Sequence, residues 1–250
     1  MCFPSANRSF KIGYKNVQGL HSGNECKITE YSKECQNDIE ILSETWGCEC
    51  VKQFKGYDLL VEIKPKKLRG VKKGRKSGGV IVLVKSYLNK FVKPKVTANF
   101  VWLEISKDVI KNANKNLNLV TGYVHDVSSK YYDPNAFENL AIEITKNCDD
   151  TTPLIITGDF NGRTGEIDDK YEELNMNEFG IKPASSIPLP LRKNCDSTVN
   201  QQGRSIVELC HTFKFTSVSK KGRGAPEFSR IASKIKFVDS PLQCIMGPPR

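Results

Sequence analysis

Four side chains carrying hard oxygen donors stand at the ends of apolar, strand-like runs, far apart in the chain. Asn16 closes the segment Lys11-Ile-Gly-Tyr-Lys-Asn-Val-Gln-Gly-Leu20, and Glu44 closes Asp38-Ile-Glu-Ile-Leu-Ser-Glu-Thr-Trp46. Asp159 and Asn161 flank Phe160 in Ile155-Ile-Thr-Gly-Asp-Phe-Asn-Gly-Arg163, and their alternation about an apolar residue projects both to one side. Two carboxylates and two carboxamides, with no thiolate or imidazole among them, suit Mg²⁺ or Mn²⁺ far better than zinc. A cation held there would polarise a phosphate and stabilise charge on a leaving oxygen. Singly, each has a plainer account: Asn16 as a turn residue, Glu44 as a solvated strand end, Gly-Asp-Phe-Asn-Gly as an ordinary turn. Together they are far more specific.

The elements that must position these groups are read from periodicity. Residues 10–16, 39–44, 57–63, 79–85, 100–105, 117–123 and 153–157 are rich in Val, Ile, Leu and aromatics, are bounded by Gly, Pro, Asn or Lys, and read as strands. Residues 25–36 suit a short helix. Residues 134–148 suit another, with Asp133 as its cap and Phe137, Leu140, Ile144 and Cys148 at helical spacing, and residues 205–214 suit a third. Many strands with hairpin-length connections and interspersed helices point to layered α/β structure with two sheets. The polar, proline-bearing stretch 166–200 reads as a long surface excursion and not as a domain boundary.

With 38% apolar and 26% charged residues, the 250-residue chain is long enough for one sizeable core. No apolar run has the length of a signal peptide or a membrane span, so an intracellular protein, nuclear or cytoplasmic and without a membrane partner, is expected. Nine scattered cysteines lack Cys-x-x-Cys spacing, and reduced thiols are the better reading. The net charge of +10 is concentrated in residues 51–100, where fourteen Lys and Arg stand against only Asp58 and Glu62. Lys64, Lys66, Lys67, Arg69, Lys72, Lys73, Arg75 and Lys76 have no acid among them, so the run repels itself and stays solvated unless a polyanion lies against it. From charge alone, nucleic-acid binding stands level with a solubilising loop or a nuclear-localisation patch.

The Asn-Val-Gln-Gly-Leu, Leu-Ser-Glu-Thr-Trp and Gly-Asp-Phe-Asn-Gly-Arg segments, in that order and spacing, resemble the signature motifs of the endonuclease/exonuclease/phosphatase superfamily. Ser77-Gly-Gly-Val80 before an apolar strand and Tyr123 ending another are similar to its middle motifs. The texture most resembles the endonuclease domain of non-LTR retrotransposons, through Ser129-Lys-Tyr-Tyr-Asp133 and the residues 203–215, and it covers residues 10–220. The resemblance implies a four-layered α/β sandwich, deoxyribonuclease-I-like, with two packed mixed sheets flanked by helices and a site at one end. It implies that Glu44 holds the metal with Asn16 close by, and that Asp159 orients or deprotonates the attacking water. Asn161 would hold the phosphate, Tyr123 would donate a hydrogen bond to it, and the loop from Lys64 to Lys76 would clamp a DNA backbone, with RNA as the alternative. A monomer is expected.

The family pattern breaks towards the end. The superfamily finishes with a Ser-Asp-His motif whose His and Asp act on the scissile phosphate, and this sequence contains none; His21, His125 and His211 are not in its place and read as surface or packing residues. Ser233-Lys-Ile-Lys-Phe237 resembles a remnant of the preceding strand motif, with Lys236 where an acid belongs, and residues 221–250 read as a divergent or truncated tail. Metal binding is therefore expected to survive better than turnover, and a non-catalytic nucleic-acid-binding module, or a nonfunctional fragment of such an endonuclease, is the alternative reading.

Overall fold

A computed structural model describes residues 10–20, 33, 36–47, 54–66, 76–149, 151–165, 167, 197–213, 216–217 and 242–244. Two mixed sheets form its frame. The smaller has the order β1 (Ile12–Asn16), β2 (Ile39–Ser43), β4 (Val80–Lys85), β3 (Tyr57–Ile63), with β1 parallel to β2 and the other pairs antiparallel. The larger has the order β5 (Val92–Val96), β6 (Phe100–Ile105), β7 (Leu117–Tyr123), β8 (Leu154–Asp159), β10 (Leu242–Cys244), β9 (Thr216–Ser217). Its strands run antiparallel from β5 to β7 and parallel from β7 through β8 and β10 to β9.

The period-two alternation explains how the sheets meet. Ile12, Ile39, Ile41, Val80, Val82 and Val84 turn one way and pack against Val101, Leu103, Ile105, Leu117, Leu119 and Ile155 of the other sheet, forming the central core. The opposite face of the larger sheet carries Phe100, Trp102, Val120, Leu154, Ile156 and Phe160 against two helices, α1 (Ala136–Asn147) and α2 (Gln201–Thr212). Trp102 fixes α1 by donating its indole N–H to Glu143 at 2.6 Å. Leu42, Ile81 and Leu83 on the outer face of the smaller sheet are covered by Val17, Leu20 and Phe54. The expected two packed mixed sheets with flanking helices are thus present. The helix expected over 25–36 lies outside the described residues.

Several boundaries differ from the sequence reading, each for a local reason. α1 starts at Ala136 with Asn135 at its cap position, because Asp133 accepts the Asn135 amide at 3.0 Å and completes a turn one step earlier. α2 begins four residues before the expected Ser205, where Asn200 caps it by accepting from the Gly203 amide at 2.8 Å; its first turn is polar and escapes an apolar-periodicity reading. Strand β5 was hidden by Lys93, Pro94 and Lys95, which suit an edge strand because charge and a missing N–H discourage further pairing. Strand β10, from within residues 221–250, pairs in parallel with both β8 and β9 at Leu242–Cys244.

Two isolated bridges define the necks of the long insertions. Thr164 pairs with Val199, while residues 166 and 168–196, most of the stretch read as a surface excursion, lie outside the described residues. Lys66 pairs with Ser77, with hydrogen bonds of 2.9 and 3.0 Å, and residues 67–75 between them lie outside the described residues. No helix among the described residues is long and apolar enough to cross a membrane. Cys148 and Cys210 are free thiols.

Candidate active site

The inter-sheet face changes character along the strands. In the β7/β8 register, Leu119 faces Ile155, then Thr121 faces Thr157, then Tyr123 faces Asp159; in the β1/β2 register, Ile12 faces Ile39 and, at the far end, Asn16 faces Ser43. Apolar side chains therefore give way to hydroxyls and then to amide and carboxyl groups at one end of the sandwich. Tyr14 and Ser43 join their hydroxyls at 2.6 Å within this polar layer.

At that end the two sheets are tied together. Asn16 Nδ2 donates to Asp159 Oδ2 at 2.7 Å, across 143 residues of sequence. The Asn16 amide is held in turn by its Oδ1, which accepts from the Gln18 amide at 3.2 Å. Asp159 is buried, and desolvation pushes its pKa up to about 6, opposed by hydrogen bonds from the Asn161 backbone and the Asn16 side chain. Glu44 follows Ser43, the register partner of Asn16, and both its carboxylate oxygens are withdrawn from solvent. Its carbonyl accepts from the Gly19 amide at 2.8 Å, which ties the ends of β1 and β2 into one turn pair.

Backbone strain is concentrated here. Among the described residues, Gln18, Glu44, Trp46, Asn112 and Asn161 are the non-glycine residues with positive φ, and all but Asn112 lie in the turns around this end. Each costs on the order of 1–3 kcal/mol and persists only where the surroundings over-determine it.

Asn161 (φ 49°) donates its side-chain N–H to the Val124 carbonyl at 2.7 Å, holding the Asp159 turn to the end of β7. Phe160 points into the helix-side core, while Asn161 lies beyond the end of β8 in a left-handed backbone conformation. Tyr123 is half-buried, and the ring of His125 stands edge-on to it at 4.9 Å. His125 is itself buried and touches Tyr131 at 5.5 Å. Burial lowers its pKa to about 4, the Lys66 ammonium adds to the effect and the Ser77 backbone opposes it, so the imidazole is neutral at pH 7. His211 is exposed in the last turn of α2, and His21 lies outside the described residues.

Gly78 joins the halves of this rim. A Cβ there would stand 3.0 Å from the Tyr123 ring and 3.3 Å from His125 Nε2, and its φ of 72° suits glycine, while its carbonyl accepts from the Trp46 amide at 3.1 Å. Of the eight basic residues, Lys64, Lys66 and Lys76 are described and exposed. Lys66 acts on His125, and Lys76 lies over Gly47, where a Cβ would meet its Nζ at 2.8 Å; the described part of the basic loop therefore borders the same end of the sandwich. Lys67, Arg69, Lys72, Lys73 and Arg75 lie outside the described residues.

Sequence reading missed Asn200 and Gln202, which brace the site from behind. Asn200 accepts from the Arg163 amide and donates to the Asn161 carbonyl, both at 2.8 Å. Gln202 is fully buried and donates to the carbonyls of His125 at 2.9 Å and Phe160 at 3.2 Å. The signal available was the Asn200-Gln-Gln-Gly203 run ahead of an amphipathic helix, a cap pattern.

The donor chemistry fits a hard divalent cation. Among the described residues no three His, Cys, Asp or Glu side chains gather, so a soft or carboxylate-rich cage is not on offer. Magnesium requires less, because it keeps several waters and binds through one or two carboxylates. Glu44 follows Ser43, the register partner of Asn16, so a carboxylate-bearing residue and a carboxamide-bearing residue stand at adjacent strand ends near the Asn16–Asp159 pair.

No family model matches the chain, and no curated protein matches it. Solved structures do. The chain is similar to an AP endonuclease, LMAP, from Leishmania major, at 18% identity and a TM-score of 0.41 over 65% of this chain and 57% of that one. It is also similar to a mannosyl-6-phosphatase from Bacteroides thetaiotaomicron, at 14% identity and a TM-score of 0.40 over 62% and 66%. A third is an endonuclease/exonuclease/phosphatase family protein from the same organism, at 13% identity and a TM-score of 0.39 over 62% and 64%. The chain thus spans between 57% and 66% of the length of these relatives.

Proposed function

We propose that this chain carries a phosphodiester-hydrolysing site that uses Mg²⁺ or Mn²⁺ on DNA, of the endonuclease lineage found in retroelements, with slow turnover. The single observation supporting it most is the 2.7 Å bond from Asn16 to buried Asp159, which joins strand ends from both sheets; Glu44 follows Ser43, the register partner of Asn16. Glu44 and Asn16 would hold the cation, which when bound would neutralise charge on the phosphate and its leaving oxygen. Asp159, raised to about 6, is ionised at pH 7 to 8 yet basic enough to take a proton from the attacking water, and Asn16 fixes its carboxylate. Asn161, with one amide hydrogen held by Val124, has a second to offer a phosphate oxygen, and the Tyr123 hydroxyl offers another donor. Lys64, Lys66 and Lys76 border the site and grip the backbone without reading sequence.

These 250 residues hold no Ser-Asp-His motif, and a general acid or base is worth on the order of a hundredfold to ten-thousandfold in rate, so slow turnover is proposed for them as they stand. His125 does not replace that motif, because a ring neutral down to about pH 4 is a poor source of positive charge for a phosphate. A supercoiled-plasmid nicking assay in Mg²⁺ tests the reading. Nicking by the wild type above a Glu44→Ala control, and its loss in EDTA, is the expected result. Equal rates for both proteins with salt-sensitive DNA binding intact would leave only a nucleic-acid-binding module.

The clamp is tested separately. Replacing Lys72, Lys73, Arg75 and Lys76 by Ala should weaken binding to every duplex sequence and flatten the plot of log affinity against log salt by roughly 0.9 for each phosphate that is no longer neutralised. Fluorescence anisotropy at several salt concentrations measures both, and an unchanged slope would remove the loop from the interface.

A further inference from the structure

Resting on that proposed reading, we infer that Gln202 is a positioning residue that couples the two strand ends carrying Tyr123 and Asp159, through its paired hydrogen bonds to the carbonyls of His125 and Phe160. Its two acceptors lie two residues beyond Tyr123 and one beyond Asp159, at the points where β7 and β8 leave the sheet register. Beyond Val124, which bonds to Asp159 through its backbone, the strand ladder no longer sets their separation. The Asn161 side chain bonds the Val124 carbonyl at 2.7 Å, and one step further out the Gln202 amide from the first turn of α2 joins the two chains. The same donor fixes the His125 backbone, and the His125 ring stands edge-on to Tyr123, so a shift of that carbonyl moves the phenol as well.

The choice of side chain argues for the donors and against simple filling. Gln202 is fully buried, yet its Oε1 has no hydrogen-bond partner among the described residues. An apolar side chain would avoid that cost of an unsatisfied acceptor, and only a residue with two N–H groups can serve both carbonyls. The approach depends on the next residue: a Cβ on Gly203 would collide with the Arg163 carbonyl, so glycine lets α2 sit close enough for Gln202 to reach across. Asn200 already holds Arg163 and Asn161, which leaves the link between His125 and Phe160 to the Gln202 amide.

The test uses the full chain with Gln202→Met, which keeps the length and removes both donors, and Gln202→Glu, which restores one donor only when protonated. Single-turnover plasmid nicking in Mg²⁺ should slow about tenfold to a hundredfold in Gln202→Met, as for other residues that orient a reacting group, with duplex affinity unchanged by anisotropy. Gln202→Glu should be as slow at pH 8 and should recover, relative to wild type, as the pH falls towards 6. His125, lowered to about 4, does not titrate in that window, and each variant is read against the wild type at the same pH. Wild-type rates in both variants, or a rate loss with no acid recovery in Gln202→Glu, would overturn the proposal. Should the wild type itself fail to nick, the functional reading falls, and hydrogen exchange decides on Gln202. Faster exchange in Gln202→Met confined to residues 123–126 and 159–163 upholds the coupling, and equal acceleration of residues 39–43 and 80–85 overturns it.

Discussion

Asp159→Asn is expected to slow metal-dependent nicking by on the order of a hundredfold to ten-thousandfold, the range for loss of a general base, while leaving the metal-free protein more stable at neutral pH. The two effects have one origin. Asp159 is buried and its pKa is raised to about 6 from an ordinary 3.8, chiefly by desolvation. A folded pKa above the unfolded one means that the folded state binds the proton more tightly. For this group stability is therefore highest below about pH 4 and is lost as the pH rises through 6. The shift of roughly two units corresponds to about 3 kcal/mol, at 1.36 kcal/mol per unit. Asparagine removes the charge and that penalty together, and its single oxygen keeps the 2.7 Å bond from Asn16 while the longer bond from the Asn161 amide is given up. Urea melts between pH 4 and 8 in EDTA read the effect. Wild-type stability should fall across that range relative to the variant, whereas parallel curves would mean that Asp159 is ionised at no cost, contrary to its burial.

Glu44→Gln is expected to cut nicking by about a hundredfold to a thousandfold, the scale of removing one preorganised charge-stabilising group, and to abolish stabilisation by Mn²⁺. In the wild type, Mn²⁺ at a hundred times its dissociation constant should add about 2.7 kcal/mol to unfolding free energy and raise Tm accordingly. The variant keeps the shape of the side chain and the left-handed backbone (φ 54°), so its melting temperature in EDTA should equal or exceed that of the wild type. Thermal melts with and without Mn²⁺ separate loss of a ligand from loss of fold. A variant that still gains stability from Mn²⁺ would place the cation elsewhere.

Much of the frame was legible because apolar alternation is a local property. The strands β2, β3, β4, β6 and β7 fall within a residue of where their Val, Ile and Leu runs put them. α1 was legible from Phe137, Leu140 and Ile144 at helical spacing. β5 was not, since Lys-Pro-Lys is a poor strand by composition and is tolerated only because the strand lies on an edge. β10 was hidden for another reason: Leu242–Cys244 is too short to signal itself, and its place between β8 and β9 is a matter of pairing partners.

The sequence by itself determined the donor types, their order and their position at the tips of apolar strands, because residue identity and period-two alternation are written one residue at a time. Only the tertiary structure decided that Asn16 reaches Asp159 from the other sheet, that Glu44 lies in a strained turn, and that Gln202 spans the carbonyls behind Tyr123 and Asp159. Those relations depend on the packing of sheets and on hydrogen bonds between residues 42 to 143 apart in sequence, and no local pattern encodes a distance of that kind.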